Sequence, residues 1–283
     1  MKKLLCAMFF LAVLTAEAQV LTPQPSPAAT VTTVVGLTDV KIDYSRPRTK
    51  GRKIFGEGAD VLVPNGKIWR TGANNGTKIT FSDDVTVEGV KVAKGEYLLF
   101  SWPGTAEWTV SLYKDIKIGG NTDEYKAENE AAKFKVKPAK LAERVDMFTM
   151  NITDLSDDSK TAKIEIAWEN TSVKFGIAVD YDAKVMKSIE TSTKVPAGNY
   201  ANAAIYYAEN GKDIKQALVW IDEAIKANPK AFWYIHQKAK IQAKAGDVKG
   251  ARETANESIR IAKESGNDFG YVKLNEDFLK TLK

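Results

Sequence analysis

At about Val179 the apolar residues of this 283-residue chain change their spacing, and that change limits the fold more than any single motif does. From about Ala28 up to that point, short runs rich in Val, Ile, Thr, Phe and Tyr alternate with Gly, Asp, Asn and Pro, which is the pattern of β-strands. Val40–Tyr44, Lys78–Phe81, Tyr97–Trp102, Trp108–Tyr113, Phe148–Ile152, Ala162–Trp168 and Val173–Val179 are the clearest of these runs. Turn residues separate them: Glu88-Gly89, Lys94-Gly95, Pro103-Gly104 and the polar stretch Asp154–Lys160. Leu98–Trp102 and Trp108–Leu112, joined around Pro103-Gly104, read as a hairpin. Many short strands at such spacing predict an antiparallel sandwich or an open barrel.

Beyond Pro196-Ala197-Gly198 the spacing is helical and Ala-rich. Asp213 and Asp247, Ala217 and Ala251, and Ile225 and Ile259 each stand 34 residues apart, the tetratricopeptide period. Gly211-Lys212-Asp213 and Gly246-Asp247 mark turns, and Pro229 ends the first unit. Phe269–Leu282 reads as an amphipathic helix that caps the array, with Phe269, Val272, Leu274, Phe278, Leu279 and Leu282 on its apolar side. In a repeat of this kind the inner helix faces line a groove, so Tyr206, Tyr207, Trp233 and His236 are candidate contacts for a protein or peptide partner.

The N-terminus carries its own signal. Lys2 and Lys3 precede an apolar run, Leu4–Leu14, and Ala16-Glu17-Ala18 supplies small residues around a cleavage point before Gln19. The run is too short to span a bilayer, which takes about 20 residues. A cleaved signal peptide and an exported protein, periplasmic or secreted, are the expectation. Cys6, the only cysteine, lies inside that signal. A mature chain without thiols excludes disulfides, thiol catalysis and cysteine-bound metal, and it suits an oxidising compartment. The chain thus reads as an α+β multidomain protein: signal peptide 1–18, linker 19–27, all-β domain 28–180, linker 181–197 with room for a short helix, and two tetratricopeptide-like repeats plus a capping helix over 198–283.

Chemistry-bearing motifs are few. The net charge of +5 is spread along the chain without a basic stripe interleaved with aromatics, so no nucleic-acid partner is expected. One histidine, His236, cannot build a histidine-rich metal site or an evident nucleophile–base pair. No phosphate-cradling glycine loop occurs, and no cofactor or metal is implied. Asp83-Asp84, Asp123-Glu124 and Asp154/Asp157/Asp158 read best as solvated turns. Trp102, Trp108 and Trp168 read as sandwich core or its rim. The densest unusual segment runs from Ile68 to Thr77, with Tyr44–Pro47 and Lys50–Gly56 upstream. Arg46, Arg52, Trp69, Arg70, Asn74 and Asn75 offer guanidinium forks, amides and an indole face for a small ligand such as a carboxylate or a glycan.

The spread YSRP, KGRKIFG, LVPNGKIWRTGANNGTKITFS, GEYLLFSWPG and EWTV, from roughly Ser26 to Val179, resembles the exported bacterial domains grouped as domain of unknown function family 2911. That resemblance implies a β-domain, an export route and often a tetratricopeptide-like tail, and it implies no activity. The insertion Glu57–Asp60 departs from the family pattern and leaves the local loop geometry open. The reading favoured is a non-enzymatic binding or scaffolding protein, its helices engaging a protein or peptide and its β-domain a small ligand. The alternative is a carbohydrate-active or other hydrolytic β-domain using Arg46, Arg70 and Asn74 around a carboxylate not placed by sequence.

Overall fold

The computed structural model describes residues 22–192 and 197–283. The signal-peptide reading therefore lies outside the described residues. The chain divides into two compact units, one ending at Tyr181 and the other beginning at Asp182.

The first unit holds twelve strands among the described residues. Chain order is β1 Ala28–Val35, β2 Thr38–Ser45, β3 Lys53–Gly56, β4 Val61–Pro64, β5 Thr77–Phe81 and β6 Val85–Val87. β7 Val90–Val92, β8 Gly95–Trp102, β9 Trp108–Tyr113, β10 Glu130–Val136, β11 Pro138–Thr153 and β12 Thr161–Val179 follow. Six of them form one antiparallel sheet in the order β1-β2-β5-β8-β9-β10, and four form a second, β11-β12-β6-β7. β3 and β4 make a small parallel pair.

Strand alternation explains why both sheets contribute to one core. In β2 every second residue is buried, and Val40 and Ile42 lose all contact with solvent. Phe148, Ile164, Trp168 and Phe175 bring the second sheet to the same cluster. The tryptophans divide by face. Trp108 and Trp168 are buried in this core, whereas Trp102 lies on the opposite side of its sheet, with the Lys133 ammonium 4.8 Å from its ring centroid. Around it Leu98, Phe100 and Tyr113 build a smaller cluster, covered by Ile118 and Tyr125 from the Lys114–Asn129 connection.

One strand boundary departs from the sequence expectation. Ala162–Trp168 and Val173–Val179 are not two strands but one, β12. Glu169 sits at φ 55°, and the register against β11 shifts between Lys140 and Val145 and again between Val145 and Thr149. The polar residues Glu169 and Asn170 mark a bulge that bends the strand without ending it.

The second unit contains six helices among the described residues: α1 Asp182–Ser192, α2 Ala197–Glu209, α3 Ile214–Ala227, α4 Phe232–Lys244, α5 Val248–Glu264 and α6 Tyr271–Thr281. Asp213 and Asp247, 34 residues apart, cap α3 and α5 in the same way. Asp213 accepts from Lys215 N at 2.9 Å and Asp247 from Gly250 N at 2.8 Å, satisfying N–H groups that the helix itself leaves open. Ala204, Ala217, Ala224, Ala251 and Ala255 are fully buried, so the helices pack on small side chains. Phe269 and Leu274, placed on the apolar side of the last helix by their spacing, are instead exposed, and the buried residue of α6 is Asn275.

Phe148→Ala should destabilise the first unit by about 3–5 kcal/mol, the range for emptying a buried aromatic site. Urea unfolding followed through tryptophan fluorescence measures this, because Phe148 packs on both Trp69 and Trp168.

Candidate functional site

The segment Trp69–Gly76 is not a strand, yet it is fixed at several points. Trp69 bridges to Ser101 of β8, its N–H donating to Ser101 O at 2.8 Å and its carbonyl accepting from Ser101 N at 2.9 Å. Its indole N–H donates to Gly72 O at 3.2 Å, and its ring stacks on Trp168 at 5.8 Å and 17°. Thr71 Oγ1 lies 2.8 Å from Ser101 Oγ, and the Thr77 hydroxyl bonds the Thr71 carbonyl. Thr71 at φ 48° and Asn74 at φ 55° occupy the left-handed region that non-glycine residues seldom adopt. Asn74 is held there by Nδ2, which donates to Ser45 Oγ at 3.1 Å.

This pinned loop forms one side of a cleft of about 980 Å³. The other side is Ile116–Asp123, and the floor comes from β1, β2 and the start of β5. Arg70 reaches across: its Nη1 donates to Asn74 O at 3.0 Å, and its side chain lies over Gly120. A Cβ at Gly120 would sit 2.5 Å from Asn74 O and 2.7 Å from Arg70 Cδ, so the absence of a side chain is what seats the arginine. Gly119 turns the chain beside it at φ 53°.

The charges of the floor cancel in a ladder across β2, β5 and β8. Lys41 pairs with Asp43 at 2.8 Å, Asp43 stands opposite Lys78, and Lys78 pairs with Glu96 at 3.0 Å. Burial would raise the Asp43 pKa, but hydrogen bonds from Lys41 and Thr30 and the charges of Lys41 and Lys78 outweigh it. The carboxyl is held below its ordinary range and stays ionised. Among the described residues Arg70 and Lys117 have no carboxylate partner, and Asp123 has no cationic one.

Of the six sequence candidates, three come together here: Arg70, Asn74 and Asn75 line the cleft. Trp69 does not. It is 8% exposed and belongs to the core, so its indole face offers nothing to a ligand. Arg46 spends its guanidinium on Phe148 O at 3.3 Å and Thr149 Oγ1 at 3.2 Å, tying the segment just after β2 to β11. Arg52 spends its own on Thr49 O and Arg48 O within its loop. Sequence reasoning missed Lys117, Gly119, Gly120 and the role of Asp123. The available signal was the stretch Lys114–Asn129, long, polar and without alternation, because connections of that length usually carry function.

Each of the four groove candidates has a partner within the helical unit. The Tyr206 hydroxyl bonds Asp182, and Tyr207 packs edge-on against Trp220 at 4.7 Å. Trp233 rests against Phe232 and Tyr234. His236 is buried, with Nδ1 2.8 Å from Asn275 Oδ1. The proton there follows from its partners. Asn275 spends both amide hydrogens, on Ser258 Oγ at 3.0 Å and Tyr271 O at 2.8 Å, so its oxygen must accept from an Nδ1–H. Ser258 Oγ in turn donates to Phe232 O at 2.7 Å, which closes a network over α4, α5 and α6. Burial lowers the His236 pKa, the Asn275 bond opposes this without cancelling it, and Lys240 adds to the lowering.

Two antiparallel sheets around one core, with a polar cleft beside a pinned Trp-Arg-Thr-Gly loop, define a β-rich unit, and a helical unit follows it in the chain. Residues 26–177 match the family model described as Protein of unknown function (DUF2911), and the chain belongs to that family. No curated protein and no solved structure matches it. Among the described residues no helix is long and apolar enough to cross a membrane, and no group of three or more His, Cys, Asp or Glu is placed to hold a metal.

Two outcomes test this geometry. Gly120→Ala should displace the Asn74 carbonyl and Arg70 at a cost of about 1–3 kcal/mol, typical of overpacking, read by urea unfolding. The second concerns pH. Because the folded His236 resists protonation, the unfolded chain takes up a proton first as pH falls below its ordinary value of 6.5. Stability of the helical unit should therefore drop on acidification from pH 7 to 5, and less so in His236→Asn, followed by circular dichroism at both pH values.

Proposed function

We propose that this is an exported binding protein, periplasmic or secreted, whose β unit is a sandwich-type module that holds a small polar ligand in the cleft at Arg70. Its helical unit, on this reading, is a tetratricopeptide-like array that engages a protein or peptide. The observation that carries the proposal is Arg70 itself. A guanidinium seated over Gly120, with one donor on Asn74 O and no carboxylate partner among the described residues, is arranged to receive an acceptor from outside the chain. Asn75 adds an exposed amide at the same rim.

Binding is favoured over turnover because glycoside hydrolysis needs one carboxyl kept protonated by a raised pKa beside an ionised one. Asp43 is pulled the other way by Lys41 and Thr30. The helical role draws support from the repeated Asp213 and Asp247 caps and from apolar side chains left in solvent, Val219 at 55% and Phe269 at 70% exposure. The N-terminal pattern of Lys2–Ala18 supports export.

A melting screen of the purified protein against small acids, sugars and peptides tests the cleft. A ligand at a hundred times its dissociation constant adds about 2.7 kcal/mol, and Arg70→Ala should abolish the corresponding shift. A peptide that binds the helical unit should keep its affinity in Arg70→Ala and lose it in Val219→Glu. If no ligand depends on Arg70, the cleft is not the binding site.

A further inference from the structure

We infer that the ligand of the cleft is a singly charged, hydroxylated carboxylate, a sugar acid of the uronate kind, with its carboxylate on Arg70. The inference rests on the reading of this cleft as a binding site and adds the chemical class.

Charge sets the first constraint. The ladder of Lys41, Asp43, Lys78 and Glu96 neutralises itself along the floor. What remains around the cleft is Arg70 and Lys117 against Asp123, a surplus of one positive charge. A monoanion balances that surplus. A dianion overshoots it and also meets the Asp43 carboxyl, which its hydrogen bonds to Lys41 and Thr30 hold toward the ionised form.

Donor geometry sets the second. The turn Ala73–Gly76 is closed by Gly76 N donating to Ala73 O at 3.1 Å. The N–H groups of Asn74 and Asn75, inside that turn, donate to no acceptor among the described residues. The Asn75 side-chain amide has no partner among the described residues either, and Arg70 has donors left beyond the one used on Asn74 O. A planar fork with neighbouring amides matches the two oxygens of a carboxylate.

Acceptors set the third. Asp43 and Asp123 stand in the same cleft as the cationic groups. An anionic ligand tolerates carboxylates there only if it brings hydrogen-bond donors to them, which hydroxyl groups do. A carboxylate at one end and hydroxyls toward the other is the pattern of a uronic acid.

Titration calorimetry on the full chain with D-glucuronate, D-glucose and D-glucose 6-phosphate separates the possibilities, since the three share one ring. Glucuronate should bind about ten-fold or more tightly than glucose, the margin of a charge-assisted hydrogen-bonded pair. It should also bind more tightly than the phosphate. Arg70→Ala should erase the preference, and Arg70→Lys should restore little of it, because an ammonium keeps the charge without the fork. Arg70 is exposed, and unchanged circular dichroism and melting of both variants confirm that each is folded. Glucose binding as tightly as glucuronate, a preference for the phosphate, or a preference that survives Arg70→Ala overturns the inference. If none of the three binds while another ligand in the melting screen depends on Arg70, the sugar-acid class is wrong and the cleft reading stands. If no ligand at all depends on Arg70, both fall.

Discussion

Trp69 sits on a connecting loop, yet its ring is stacked on Trp168 in the middle of the core. Phe55, Trp108 and Phe148 approach the same ring edge-on, at 5.6, 6.3 and 5.5 Å. Edge-to-face contacts of this kind add to the area they bury, and each fixes an angle as well as a distance. The loop cannot move without disturbing β3, β9, β11 and β12. That is why Thr71 and Asn74 persist at backbone angles that cost free energy on their own: the surrounding packing over-determines them. Arg70, between the buried Trp69 and the buried Thr71, inherits its position from that packing. The cleft is therefore a by-product of the core, with one exposed side chain carried on a backbone that is otherwise locked.

The distribution of work among the arginines follows from the same economy of partners. Arg46, Arg52 and Arg70 are alike as residues and lie in neighbouring segments. Arg46 and Arg52 each find two backbone or hydroxyl oxygens within the unit and become ties. Arg70 finds a single carbonyl and remains able to bind something else. No local pattern distinguishes these cases, because the oxygens that consume Arg46 come from residues about a hundred positions away.

Sequence made the strands legible where alternation is clean, as in β2 and in β8 with β9, because burying one face of a pleat leaves a period of two. It divided β12 into the runs Ala162–Trp168 and Val173–Val179, since the polar residues between them suit a bulge as well as a turn. The rim at Lys114–Asn129 escaped attention for the opposite reason: it has no period, and its value lies in Gly120, which matters because Arg70 crosses over it, and in Gly119, which turns the chain against Asn75. In the helical unit the caps at Asp213 and Asp247 were visible as a repeat, while Asn275 was hidden among apolar neighbours and Phe269 was credited with a burial it does not have.

The polar chain His236–Asn275–Ser258 has a consequence for how the helices come apart. Its three bonds each join a different pair of helices: His236 of α4 to Asn275 of α6, Asn275 to Ser258 of α5, and Ser258 back to Phe232 O of α4. Withdrawing α6 takes the acceptor from the imidazole N–H of α4 and the donor from the hydroxyl of α5 together, and an unmade bond at a buried polar group is expensive. Partial fraying from the C-terminus is thereby penalised out of proportion to the few residues it frees. Helices α4 to α6 should behave as one cooperative unit, opening all at once or not at all.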